Sequence, residues 1–491
     1  MLLGVDIGTS STKAALTRLD GTVVSTAMRE HRLSTPRPGW AEHDPERDWW
    51  AGFVSVTREL LAAADEPVAA VGVSGIGPCV LVAGSDGRPL RPAVLYGIDT
   101  RATAEIATLR QDLGDAEILD RCGSPLTSQA VGPKLLWLRN HEPAVWQQTR
   151  RMFMASSFLA HRLTGRYVLD HHSASQSVPL YDGRRRRWIP EWAGQIAPGL
   201  ELPELVWPTD IIGTVTTEAA SLTGLRPGTP VVAGTIDAWA EAVSVGVSAP
   251  GDVMLMYGTT MFLIEVSDVR RTAPTLWGTL GVFPGTYCLA GGLATSGAVT
   301  DWLRQLTGAP FETLTDEARA AGRGAEGLLM LPYFAGERTP LFDPSARGVL
   351  AGLTLRHGRG HVYRAALEST AYGVRHNLEA MRVAGGVDKR LVAVGGGTQG
   401  GLWLQIVSDV VQQPQHVPRH TIGACYGDAL LAGIGTGLVD REAQWNPVVR
   451  VVEPDADAAA DYDRLYRLYR DLYPATRTIA HALAGIAEDR W

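Results

Sequence analysis

Two aspartates stand where short apolar runs end. Leu2-Leu-Gly-Val-Asp6 runs into Ile-Gly-Thr-Ser-Ser11, with Lys13 just beyond, and Val231-Val-Ala-Gly-Thr-Ile236 delivers Asp237. A carboxylate at the end of a buried strand must be paired, solvated in a cleft or close to a cation. Gly8 lacks a side chain, so backbone N–H groups can crowd a ligand there, and Thr9, Ser10, Ser11 and Lys13 add three hydroxyls and a charge. Such convergent donors suit a phosphate. Asp6 beside them suits Mg2+ held through water, since that ion accompanies nucleoside triphosphates and keeps several of its waters. Asp237 fits the general base that takes a proton from an acceptor alcohol.

Two further turns belong to the same chemistry. Tyr257-Gly-Thr-Thr260 repeats the glycine–hydroxyl pattern, and Leu391-Val-Ala-Val-Gly-Gly-Gly397 is a strand that breaks into glycine ahead of a helix from Gly401. The second has the shape of a nucleotide-binding strand-to-helix turn. The chain has no GxxxxGK[ST] segment and hence no P-loop. Each feature alone also has a plain structural reading: a hairpin turn at 8–11, a helix cap at Asp237, a flexible left-handed turn at 395–397. Their order along the chain is what joins them into one site.

The elements that must position these residues alternate between strand and helix. Strands at 2–6, 13–19 and 22–28 form an antiparallel meander with a hairpin signal at Asp20-Gly21, and a helix starts near Pro45 behind Asp44 as its cap. A buried strand at 68–74 exits into Gly75-Ile-Gly-Pro-Cys79, with extended stretches at 80–83 and 93–96 and helices at 101–113 and 133–141. The segment 164–187, rich in Ser, His and Arg, reads as irregular, a mobile flap or an insertion. From Pro230 the pattern recurs in kind, which suggests a duplicated unit. Helices follow at 296–306, 360–383, 401–411 and 423–437, and the chain closes in an amphipathic helix over 458–484, broken or kinked at Pro474. The class is α/β, with two domains, 1–246 and 247–491, and a cleft expected between them.

A chain of 491 residues is too long for a single ordinary core. Net charge is −7 with both signs interspersed, so neither nucleic acid nor an anionic membrane is an expected partner, and Arg184-Arg-Arg-Arg187 reads as a solvated loop. The four cysteines, Cys79, Cys122, Cys288 and Cys425, have no paired spacing, which speaks against a disulfide scaffold or a zinc site. There is no secretion-signal pattern at the start and no apolar run long enough for a membrane span, so a cytoplasmic protein is expected.

The chain resembles the FGGY-family carbohydrate kinases, of the actin-like, ribonuclease-H-like ATPase fold. The likeness rests on Asp6-Ile-Gly-Thr-Ser-Ser11, Gly39-Trp-Ala-Glu-His-Asp-Pro45, Ala233-Gly-Thr-Ile-Asp237, Tyr257-Gly-Thr-Thr260, Gly336-Glu-Arg-Thr-Pro-Leu-Phe-Asp-Pro344 running on to Thr354, and Gly395-Gly-Gly397. What the resemblance implies is transfer of the γ-phosphoryl group of ATP, with Mg2+, to a hydroxyl of a small sugar. Asp237 is then the base and Asp6 lies near the metal. Nucleotide contacts fall on Thr9, Ser10, Ser11, Lys13, Gly258, Thr259, Thr260, Gly297, Asp301, Gly396, Gly397 and Gly400, and sugar contacts on Ile76, Gly77, Pro78, Tyr96 and Asp237. The pattern is most like the xylulokinase branch, so a ketopentose such as xylulose is the expected acceptor. It departs from that branch where Ile76-Gly-Pro78 replaces a Gln-Met-His triplet, where Tyr96-Gly-Ile-Asp-Thr-Arg101 replaces a shorter segment with a tryptophan, and at Ala238. A pocket that hydrogen-bonds a hydroxyl discriminates through that bond, so another sugar, a polyol or an aldonate is the alternative acceptor, and a non-catalytic sugar- or nucleotide-binding regulator of the same fold the rival class. A homodimer is a possible assembly.

Overall fold

Every residue of the first strand, β1 (Leu2–Ile7), is buried, so the sheet it belongs to is covered on both faces. The computed structural model describes residues 1–488 and divides into two compact units. Unit 1 comprises Met1–Ser248, Ser267–Cys288 and Ile422–Asn446; unit 2 comprises Ala249–Val266 and Leu289–Thr421, with the chain from Pro447 onward.

In unit 1, β1 pairs antiparallel with β2 (Ser11–Thr17), and β2 pairs antiparallel with β3 (Val23–Glu30). Helix α1 (Ala51–Ala62) packs on β2 and β3; it follows one π-helical turn capped by Asp44, whose carboxylate accepts from the N–H groups of Glu46 and Arg47. On the other side of β1 lies β4 (Ala70–Gly75), parallel to it. The sheet continues through β6 (Pro230–Val232), parallel to β4, to its edge at β5 (Ile211–Thr214); β7 (Thr235–Ile236) also runs beside β4. The order is therefore β5-β6-β4-β1-β2-β3. Helix α2 (Asp237–Ser244) leaves directly from β7.

Unit 2 repeats the plan. β8 (Asp252–Tyr257) pairs antiparallel with β9 (Met261–Ser267), which neighbours β10 (Tyr287–Leu293). On its other side β8 is parallel to β11 (Arg390–Val394), followed by β12 (Gln415–Pro418) and the edge strand β13 (Val448–Val452). Helices α3 (Gly297–Thr307), α4 (Arg359–Val383) and α5 (Gly401–Val411) fill the connections. A meander followed by parallel strands thus occurs once in each unit, as expected of a duplicated element.

Helix α6 (Ala424–Gly435) lies late in the chain but belongs to unit 1, where it packs on β1, β4 and α2. Its close approach needs two glycines paired across the sheet, Gly4 and Gly72. A Cβ on Gly4 would overlap the Cys425 carbonyl oxygen, and one on Gly72 would overlap that of Asp428.

Two expectations are corrected. Segment 164–187 is no mobile flap: it holds a strand at Val168–Asp170, a helical turn at His171–Ser175 and a hairpin at 181–188, and its core is buried. Its polar residues are used inward, since Asp170 accepts from Thr235 Oγ1 at 3.0 Å and His172 Nδ1 lies 2.7 Å from the Leu280 carbonyl oxygen. Of the break or kink expected at Pro474, the break is excluded: the terminal helix α7 (Ala459–Glu488) runs through that residue as one element. The four cysteines are buried thiols outside any disulfide. Among the described residues no helix is long and apolar enough to cross a membrane.

Candidate active site

In unit 1 the two aspartates read from the sequence come together around β1, β4 and β7. Asp6 is the penultimate residue of β1, opposite Lys13 on β2 and Ser74 on β4. Asp237 is the first residue of α2, where its Oδ1 accepts from the Ala238 N–H at 2.8 Å, and the helix dipole favours a negative charge there. It is therefore the first helical residue and not a cap. The turn before it needs Gly234, which has φ +74° and whose Cβ would overlap the Val73 carbonyl oxygen of β4. One helical turn on, Glu241 faces the same way.

These carboxyls act on one another. Burial, then the charge of Asp237, pushes Asp6 up to about 8, with Lys13 pulling the other way. Burial raises Asp237 to about 6 against the Ala238 N–H and Lys13. Burial and the Asp237 charge bring Glu241 to about 7. Asp428, on α6, is pushed well above the ordinary carboxylate range by burial and then by Asp6. Acids crowded around one lysine lack positive charge, which is the electrostatic demand a divalent cation meets. Among the described residues no group of three or more His, Cys, Asp and Glu side chains could hold a metal ion directly. The donor set therefore fits Mg2+ held through water and does not fit a full protein cage.

The Gly39–Pro45 motif positions the first turn. Trp49 Nε1–H donates to His43 Nδ1 at 3.1 Å, which leaves Nε2–H to donate to the Thr9 carbonyl oxygen at 3.1 Å. Burial holds the ring neutral, at about 4. Thr9 Oγ1 in turn lies 3.1 Å from the Tyr96 hydroxyl, so this turn and the segment expected to meet sugar are in contact. Beyond Tyr96, Gly97 donates to Gln129 Oε1 and accepts from Ser128 Oγ. Buried Asp99 accepts from the Ala41 N–H at 2.7 Å and pairs with Arg101 at 2.7 Å. The departure at 96–101 thus fastens this segment to the Gly39–Pro45 stretch. Ile76 and Pro78 are buried and Gly77 is half-buried; a Cβ on Gly77 would press within 2.6 Å of Ile236, which sets the 76–78 segment beside the residue preceding Asp237.

In unit 2 a cavity of about 710 Å3 collects Gly258, Thr259, Gly297, Asp301, Gly396, Gly397 and Gly400; Thr260 does not line it. Helix α3 starts on the second turn, with the N–H groups of Gly297 and Ala298 donating to the Gly258 and Thr259 carbonyl oxygens at 2.9 and 3.1 Å. Gly395 takes φ +93°, and a Cβ there would sit 2.5 Å from the Tyr257 carbonyl oxygen, so β11 can break against β8 only through glycine. Nothing lies within 4 Å of a Cβ built on Gly396 or Gly400, which leaves their faces open to a ligand. The sequence reading missed the aromatic wall of Trp302, Phe311, Tyr363 and Trp403. Trp302 and Phe311 are exposed, at 43% and 45%, on otherwise amphipathic helices, and that mismatch was the available signal. In unit 1 it missed Ser74, Glu241 and Asp428. Only the spacing of Glu241 from Asp237 could have flagged one of them.

A duplicated sheet plan with a glycine–hydroxyl turn in each unit and a carboxylate leading α2 defines an actin-like ATPase fold built for phosphotransfer. Family models agree: the N-terminal domain of the FGGY family of carbohydrate kinases matches residues 1–244 and its C-terminal domain matches 253–436. The crystal structure of a xylulose kinase from Rhodospirillum rubrum superposes with a TM-score of 0.91 at 35% identity, covering 98% of this chain and 99% of that one. The xylulose kinase of Bacillus subtilis (strain 168) is 28% identical over 99% of each chain, and the glycerol kinase of Nocardia farcinica (strain IFM 10152) is 31% identical over 90% of this chain and 92% of its own. The chain belongs to the FGGY family of carbohydrate kinases. It is a phosphotransferase with an alcohol group as acceptor.

Proposed function

We propose that this kinase phosphorylates a hydroxyl of a ketopentose of the xylulose type from ATP with Mg2+, in the reducing cytoplasm. The acceptor class is supported by the xylulose kinases among its relatives at near full-length coverage. The single observation that carries the mechanism is geometric: β7 sets Asp237, the first residue of α2, beside the strand pair that holds Asp6, and burial raises its carboxyl so that it can accept a proton.

Bound ATP supplies the transferable phosphoryl group, and Mg2+ neutralises its charge. Asp237 orients the acceptor hydroxyl and takes its proton. Asp6 holds the ion through water, and Thr9, Ser10, Ser11 and Lys13 meet phosphate oxygens. Gly258, Thr259, Thr260, Gly297, Asp301, Gly396, Gly397 and Gly400 hold the nucleotide. Ile76, Gly77 and Pro78 shape the sugar side through backbone and apolar contact, and Tyr96 contributes its hydroxyl. In functional terms 1–246 carries the base and the first turn, and 247–491 the nucleotide turns.

The test is an ADP-release screen across ketopentoses, deoxy-sugars, polyols and aldonates, run on the wild type and on Asp237→Ala. Xylulose-type ketopentoses should turn over fastest. The variant should lose about 10²–10⁴-fold in kcat while keeping its nucleotide Kd. Preference for a polyol or an aldonate overturns the substrate, and wild-type turnover by the variant overturns the base.

A further inference from the structure

The sheet face of unit 1 beneath α6 holds an arrangement that the proposed reaction does not use. Gly4 and Gly72 are paired across β1 and β4, and two residues further along each strand, on the same face, the pair is Asp6 and Ser74. The two glycines form a notch. Into it α6 settles so closely that a Cβ on Gly4 would come within 3.0 Å of the Asp428 Cβ. Asp428 is thereby delivered next to the Asp6–Ser74 pair with no room to swing away.

The contacts there have one feature that decides the chemistry. Ser74 Oγ lies 2.7 Å from Asp428 Oδ2 and 3.3 Å from Asp6 Oδ1, yet a hydroxyl has a single proton to donate. Both contacts are hydrogen bonds only if one carboxyl brings a proton of its own. Asp428 is fully buried, and its Oδ1 has no hydrogen-bond partner. Asp6 faces Lys13 across the strand pair, a cation that opposes the charges of Asp237 and Glu241 on it, whereas the charges that act on Asp428, those of Asp6 and Asp237, are both negative. An uncharged carboxyl tolerates an unmatched buried oxygen far better than a carboxylate does.

We propose that Asp428 is a positioning residue for Asp6: as a neutral acid it donates to Ser74 Oγ, and the Ser74 hydroxyl donates onward to Asp6 Oδ1. The chain of two hydrogen bonds fixes the rotamer of Asp6 and leaves its Oδ2 for the water shell of the ion. Asp428 itself touches neither substrate nor metal. This rests on the reading of Asp6 as the carboxylate beside Mg2+, and the test separates the two.

The experiment measures, in the full-length enzyme, the Mg2+ concentration that half-saturates ADP binding by calorimetry, together with kcat and its Mg2+ dependence. The variants are Asp428→Asn, Asp428→Ala, Ser74→Ala, the double Ser74→Ala/Asp428→Ala, and Asp6→Asn. Asn keeps a donor in place of the acid proton, so D428N should restore wild-type half-saturation. D428A and S74A should each raise it by about tenfold, in the range of losses seen when a group supporting a metal ligand is removed. The double variant should be no worse than either single one, because both cut the same chain. Wild-type Mg2+ dependence in S74A or D428A overturns the proposal, as does D428N behaving like D428A. A lowered Tm with unchanged Mg2+ dependence shows a purely structural Asp428 and also overturns it. If D428A does not fold, S74A and D428N still decide. If D6N leaves Mg2+ dependence unchanged, the reading of Asp6 itself fails; if only D6N changes it, Asp428 alone is excluded.

Discussion

As the proposed base, Asp237 must be ionised when the free enzyme meets the acceptor. Burial raises it to about 6, while the Ala238 N–H and Lys13 hold it from rising further. For an acid that must be deprotonated, activity is present above that value and is lost as pH falls through it. The kcat/KM profile should therefore have an acid limb near pH 6, where an ordinary aspartate would place it near 4. Because Asp6 and Glu241 feel the same charge, the limb belongs to the cluster as well as to Asp237. Lys13→Met removes the nearby positive charge and should move the limb to higher pH. A pH–rate series on both proteins checks this, and a limb that stays near 4 in each would remove Asp237 from the role of base.

Helix α6 is the element on which the arrangement of unit 1 depends. Ala424, Cys425, Ala429, Leu431 and Ala432 are buried along it, and the small residues let its backbone lie against β1 and β4. The glycine pair beneath it is a packing requirement and not one of backbone conformation, since neither Gly4 nor Gly72 has a positive φ. Gly4→Ala should therefore displace α6 from β1 and cost about 1–3 kcal/mol, as overpacking does. It should also weaken catalysis, because Asp6 and Asp428 would move with the elements that carry them. Denaturant unfolding and kcat on the variant check both; an unchanged midpoint would mean that α6 is free to shift without cost.

At the scale of the molecule, the compact units do not follow the two halves of the chain. Unit 1 takes back Ser267–Cys288 and Ile422–Asn446 from the second half. A fragment ending at residue 246 lacks α6 and leaves one face of β1 and β4 uncovered. Leu2 and Ala70 of that face lose their cover and the buried Asp6–Ser74 pair loses its partner helix; one large side chain is worth about 1.5–3 kcal/mol of burial against a stability of about 5–15 kcal/mol. We expect fragment 1–246 to show no cooperative thermal transition and to regain one when the segment 422–446 is joined to it through a flexible linker. Calorimetry of the two fragments decides.

The sequence by itself determined what is local. Strand exits at Asp6 and Gly234, the turn glycines 395–397, the cap at Asp44 and the α/β alternation all follow from a few neighbouring residues, because turn geometry and burial period are written within a window of that size. The resemblance carried those pieces to a family and a reaction, and the family models and relatives bear both out. What only the tertiary structure decided is long-range. Ser74 and Asp428 are hydrogen-bonded across 354 residues of chain, and no periodicity relates them. Segment 164–187 looked like a mobile flap or insertion because the partners of its polar residues, Thr235 and Leu280, are far away in sequence. α7 passes through Pro474 although a proline removes one backbone donor, a local cost that propensity registers while the packing of the rest of the helix, which propensity cannot see, outweighs it.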